Sequence, residues 1–169
     1  MASQKPSLNS NRNLRHLVKI IASLLVLAFA IQSVYGQSEE FRKQHFNTKK
    51  NLALEGYDPV SYFDGSPLEG DPDLKYAFKG ITYQFVSAGN LAKFKLAPDK
   101  YEPAYGGWCA YAMGDSGEKV KIDPETFKIL DGKLYLFYNF WGNNTLDDWK
   151  KNEKKLKDDA DLNWNKIVR

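Results

Sequence analysis

Cysteine is nearly absent from this chain: Cys109 is the only one among 169 residues, methionine is limited to Met1 and Met113, and histidine to His16 and His45. A single cysteine excludes an internal disulfide. A closed zinc site takes four Cys or His ligands, and beyond residue 36 only His45 and Cys109 remain to supply them. A surplus of one charge sign is missing too. The chain holds 24 basic and 21 acidic residues, but Lys5, Arg12, Arg15 and Lys19 all precede residue 37, which leaves 20 against 21 and a net charge of −1 in the remaining 133 residues. That balance gives no electrostatic ground for a nucleic-acid partner or an anionic membrane surface. Internal repeats and low-complexity tracts are also lacking.

What is present begins with an export signal. The four early cations precede an apolar run from Ile20 to Ile31, broken only by Ser23, and Val34 and Gly36 are small enough for the −3 and −1 positions of a signal peptidase site. The run covers twelve residues, short of the roughly 20 that cross a bilayer core. Residues 1–36 therefore read as a cleaved signal peptide, with no stable membrane anchor left behind and a periplasmic or extracellular destination. Nothing near the cut can accept a lipid, since the only cysteine lies far downstream.

Residues 37–50, "QSEEFRKQHFNTKK", read as a polar leader or short amphipathic helix, and the domain as 51–169. In "NLALEGYDPVSYFDG" the spacing of apolar residues around Gly56 and Pro59 predicts a short strand, a bend and a second short strand ending at Asp64-Gly65. In "LKYAFKGITYQF", Tyr76 and Phe78, then Ile81, Tyr83 and Phe85, alternate with polar residues about Gly80, as in a hairpin with one aromatic face. Ser87 stands where it can cap a following helix that Pro98 stops. Asp131-Gly132 marks a second hairpin between Phe127-Ile129 and Leu134-Leu136-Tyr138. After a cap at Asn144 or Thr145, Trp149, Leu156, Ala160, Trp164 and Ile167 form an apolar stripe on one or two C-terminal helices. The fold expected is α+β: a small antiparallel sheet of hairpins, a ββα unit, and an amphipathic C-terminal helix packed on the sheet.

Three stretches together, "LEGYDPVSYF", "YAFKGITYQFVSAGNLAKFKLAPDKYEPAYGGWCAYAM" and "DPETFKILDGKLYLFYN", resemble the exported YHS-domain proteins of bacteria. The resemblance covers about Asn51 to Ile167. It implies a small α+β domain related to the metal-binding YHS and TRASH modules that accompany heavy-metal transporters and sensors. In those modules cysteines stand at places held here by Ser61, by Val86, and by Ala88, Gly89 or Asn90. Their ligand set is not carried over, and Cys109 belongs to the "YGGWCAYA" signature of the exported subgroup.

The chemistry of that signature is open at this level. Cys109 and Met113 are four apart, so on a helix both sulfurs share a face and could hold Cu(I) or another soft metal ion. Free cysteine and methionine are equally at home in a core. Gly106-Gly107 could place Cys109 in a first helical turn as a reactive thiol, supporting redox or transfer chemistry. A small-ligand pocket is the further candidate, with Tyr57, Tyr62, Tyr105, Trp108 and Tyr111 as walls and Asp58 as polar contact. The function expected is an exported binding or accessory module, with thiol chemistry and a structural or partner-binding role as rivals.

Overall fold

The computed structural model describes residues 39–168 together with Arg15, Val18, Lys19 and Ile21. The chain divides into two units, Met1–Ser38 and Glu39–Arg169. Of the first, only those four residues are described, all helical and exposed; the bulk of the predicted signal peptide and its cut after Gly36 lie outside the described residues. Among the described residues no helix is long and apolar enough to cross a membrane.

The second unit starts inside the stretch read as a leader. Helix α1 (residues 39–45) is held by an ion pair from Arg42 to Glu102. Its guanidinium also lies 4.2 Å from the Phe46 ring centroid. Strand β1 (Thr48–Lys49) turns through Lys50 and Asn51, both left-handed at φ 52° and 65°, and pairs antiparallel with β2 (Leu52–Ala53). The second strand predicted at Ser61 is a 3-10 turn over Ser61–Asp64. Its cause is the Asp58 side chain, which accepts a bond from Val60 N–H at 2.8 Å and curls the backbone.

Strands β3 (Asp71–Phe78) and β4 (Ile81–Phe85) form the predicted hairpin, with Phe78 opposite Ile81. β2 joins the other edge of β4 in parallel, Leu52 opposite Thr82, so the sheet is mixed, in the order β1-β2-β4-β3. Ile81, Tyr83 and Phe85 are fully buried on one face, against Phe94 of helix α2 (Ala88–Leu96). The Phe94 ring centre lies 4.8 to 6.4 Å from those of Tyr76, Phe78, Tyr83, Phe85 and Tyr101, which accounts for much of the aromatic content. Ser87 caps α2, its Oγ accepting from Asn90 N–H at 3.1 Å. Pro98 ends that helix and opens the next, α3 (Pro98–Tyr101), where its missing N–H costs nothing.

Next come a 3-10 turn (Ala104–Gly107) and helix α4 (Ala110–Asp115). Strands β5 (Asp123–Leu130) and β6 (Lys133–Phe137) make the second hairpin about Asp131-Gly132. A third, minimal hairpin of β7 (Asn139–Phe140) and β8 (Asn143–Asn144) leads into α5 (Thr145–Lys151) and α6 (Glu153–Ile167). β6 is buried on both faces. Leu134 and Leu136 belong to the core beneath β4 and α2, whereas Tyr135 and Phe137 belong to a second core with Trp149, Leu156 and Ala160. The architecture is α+β, and β6 is the wall its two cores share.

Candidate functional site

The signature "YGGWCAYAMG" lies along β6. Pro103 and Cys109 make parallel bridges to Leu134 and Leu136. Tyr105, Gly106 and Gly107 all have positive φ, which folds the chain tightly enough for Asn47 to bond the carbonyls of both glycines. A Cβ on Gly106 would stand 2.9 Å from the Trp164 ring, so this position must stay bare. Trp108 is anchored by its Nε1–H, which donates to the His45 carbonyl at 2.7 Å.

Cys109 is fully buried and is the N-cap residue of α4. Tyr138 N–H donates to its Sγ at 3.3 Å, and Sγ lies 3.4 Å from Thr145 Oγ1. The Thr145 hydroxyl donates to the Tyr138 carbonyl at 2.9 Å, and Thr145 N–H donates to the same carbonyl at 3.0 Å. With the hydroxyl proton so used, the thiol is the donor to Thr145 Oγ1, and the four groups close a ring. Cys109 thus ties together Tyr138 and Thr145, the residues that flank the β7–β8 hairpin. Met113 is equally buried but packs in the second core, so the two sulfurs sit in different clusters. Among the described residues no three His, Cys, Asp or Glu side chains converge as a metal site.

The hairpin that this clamp secures ends in exposed rings. Trp141 is 95% exposed and Phe140 40%, and Trp141 holds a left-handed φ of 53°. Tyr138, Phe140 and Trp141 contact one another with ring centres 5.1 to 6.5 Å apart. No charged residue occurs from Tyr138 through Thr145.

A second node forms at Asp58, which is fully buried. Its carboxylate accepts from Val60 N–H at 2.8 Å, Val86 N–H at 3.0 Å and Asn90 Nδ2 at 2.7 Å. Its carbonyl accepts from the Ser61 hydroxyl at 2.7 Å. Val60, Val86 and Asn90 thus meet around a carboxylate bonded wholly within the scaffold, with Ser61 on the same residue's carbonyl. Three N–H donors compensate the buried charge.

The remaining residues expected to line a ligand pocket are dispersed. Tyr57 is half-buried and donates to Glu125 Oε1 at 3.2 Å; burial and that carboxylate raise its pKa above the usual 10.0. Tyr62 donates to the Pro124 carbonyl at 2.9 Å and packs edge-on to Phe127. Tyr105 lies in the other core and donates to Asp161 Oδ1 at 2.9 Å. Burial foremost raises the pKa of both, so they are scaffold hydroxyls. Tyr111, half-buried on α4, touches both cores. The structure brings Tyr57, Asp58 and Tyr62 near one another, whereas Tyr105 and Trp108 pack with the second core and Tyr111 against both.

The aromatic tip was not singled out from sequence; the local signal for it is "FWGN", a bulky pair followed by a turn glycine in an uncharged segment. Comparison of the chain with protein families, with curated proteins and with solved structures finds no match.

Proposed function

We propose that this chain is an exported binding module of the YHS kind that docks onto a partner through its aromatic hairpin, with Cys109 as the clamp that holds that hairpin. The observation that carries the reading is Trp141. An indole left 95% exposed gives up about 2 kcal/mol of burial, and a left-handed non-glycine residue costs about 1 kcal/mol more. The left-handed φ serves the turn, since Trp141 and Gly142 are the two residues between β7 and β8 and both have positive φ; the fold derives nothing from the exposed indole, whereas a partner's apolar surface would. The rival uses of Cys109, a Cu(I) site with Met113 and a nucleophile, both need a thiolate. The ring through Thr145 instead employs the thiol proton, which supports the structural role.

The test is a photo-crosslinking amino acid at position 141 of the full chain in cells that export it. A discrete adduct is expected, weakened by Phe140→Ala. A control probe at Leu162, 61% exposed on α6, should not form it. Identical adducts from both positions, or none from position 141, would overturn the docking role.

A further inference from the structure

On the side of the sheet away from Phe94, a recess of about 990 Å³ opens between the β1–β2 turn and β3. Four lysines from three separate segments line it: Lys49 and Lys50 of the turn, Lys75 of β3, and Lys121 ahead of β5, with Glu55 as the one acid. Register explains the convergence. Lys75 sits opposite Gln84 in the ladder, and Thr82, two residues away from Gln84, shares its face. The parallel pairing of Leu52 with Thr82 then lays the turn alongside, and the Asn51 carbonyl accepting from Thr82 N–H at 2.8 Å fixes it there. Thr48 and Thr82 add hydroxyls to the lining.

The lysines are also unspent. Among the described residues none of the four pairs with a carboxylate, whereas Lys43, Lys79, Lys128 and five lysines of α5 and α6 do. The lining therefore carries a local charge of about +3, four ammonium groups less Glu55, on a unit whose own charges nearly cancel. A cleft of one sign concentrates counter-ions of the other.

The kinds of side chain narrow the ligand. Ammonium groups act as point charges that suit phosphoryl oxygens, and the recess has no guanidinium fork to grip a carboxylate in two places. It has no aromatic ring either, so a nucleotide base would find no stacking platform. The trough is too open to enclose one small anion, and a single exposed ion pair is worth little, so useful affinity requires a ligand that meets several lysines together. We infer that this recess binds a multivalent phosphoryl anion, a chain of linked phosphates spanning the turn lysines, Lys75 and Lys121.

The probe is tripolyphosphate, titrated calorimetrically into the full-length protein, with monophosphate and citrate as comparison arms. One tripolyphosphate should bind per chain, at least about tenfold tighter than monophosphate, with affinity falling as salt rises. Replacing Lys75 and Lys121 together by glutamine should weaken it about tenfold or more, while the same change at the exposed pair Lys154 and Lys155 should leave it unaltered. Amide shifts at Thr48 and Thr82 of the unsubstituted protein supply a readout that does not depend on any variant folding. Equal losses in the two double variants, citrate binding as tightly as tripolyphosphate, or shifts elsewhere without any at Thr48 and Thr82, would overturn the assignment.

Discussion

Cys109 both donates and accepts, and its two possible replacements part company on that account. Alanine leaves Tyr138 N–H and Thr145 Oγ1 without their partner and opens a small void, so Cys109→Ala should lose about 2 to 3 kcal/mol in urea unfolding. Serine keeps a donor and an acceptor on a shorter arm, and Cys109→Ser should lose about 1 kcal/mol. A thiol reagent should find no reactive group in the folded protein and one after denaturation. In competition with a Cu(I) chelator, protein and Cys109→Ser should be indistinguishable; a copper affinity that depends on the thiol would restore the metal reading. The sequence could single out this residue but not choose among its roles, because Tyr138 and Thr145, which decide the matter, are 29 and 36 positions away.

The elements were legible wherever the period of apolar residues spoke for itself. Both long hairpins, the Ser87 cap and the C-terminal stripe appear as expected. The strand expected at Ser61 does not, since Asp58 curls the backbone by accepting from Val60 N–H, and the bonds from Val86 and Asn90 that hold its carboxylate there come from 28 and 32 positions away. The β7–β8 hairpin has two residues per strand, too few for an alternation to register. The lysine recess escaped notice for a different reason: its cations come from three segments that only the β2–β4 pairing unites. Contact between helices is also hidden in sequence. Gly114 lets α4 lie on α6 so closely that an added Cβ would stand 2.3 Å from the Leu156 carbonyl oxygen. Because backbone must move to admit it, Gly114→Ala should cost about 3 kcal/mol despite the better helix propensity of alanine. Chemical denaturation checks this, and a neutral or stabilising result would mean the two helices are not so closely apposed.

At the scale of the molecule, the titrating groups set a stability plateau with an edge on each side. Burial, and then Lys119 with its Nζ 2.8 Å from Nδ1, hold the His45 pKa below its ordinary 6.5, so stability declines as pH falls from 6.5 toward the folded value. Glu153 is held below 4.5, chiefly by the bond from Lys128 and also by that from Trp149, and its contribution is lost on further acidification. On the alkaline side burial raises Tyr62, Tyr83 and Tyr105 above 10.0, so their contribution is complete below pH 10 and lost above it. Burial also lowers Lys119 from 10.5, a small loss that is complete once pH has fallen past its folded value, so melting temperature should fall below about pH 6.5 and at strongly alkaline pH. His45→Gln should remove the slope just below pH 6.5 while leaving the alkaline edge; an unchanged slope there would show that other groups set it.

The double-sided burial of β6 has a consequence for how this protein can be cut and inherited. A cut before residues 133–137 takes Leu134 and Leu136 from the first core, and a cut after them parts Tyr135 and Phe137 from Trp149, Leu156 and Ala160, so a division on either side of β6 opens a core. Whatever the aromatic tip and the lysine recess each bind, they travel as one indivisible piece.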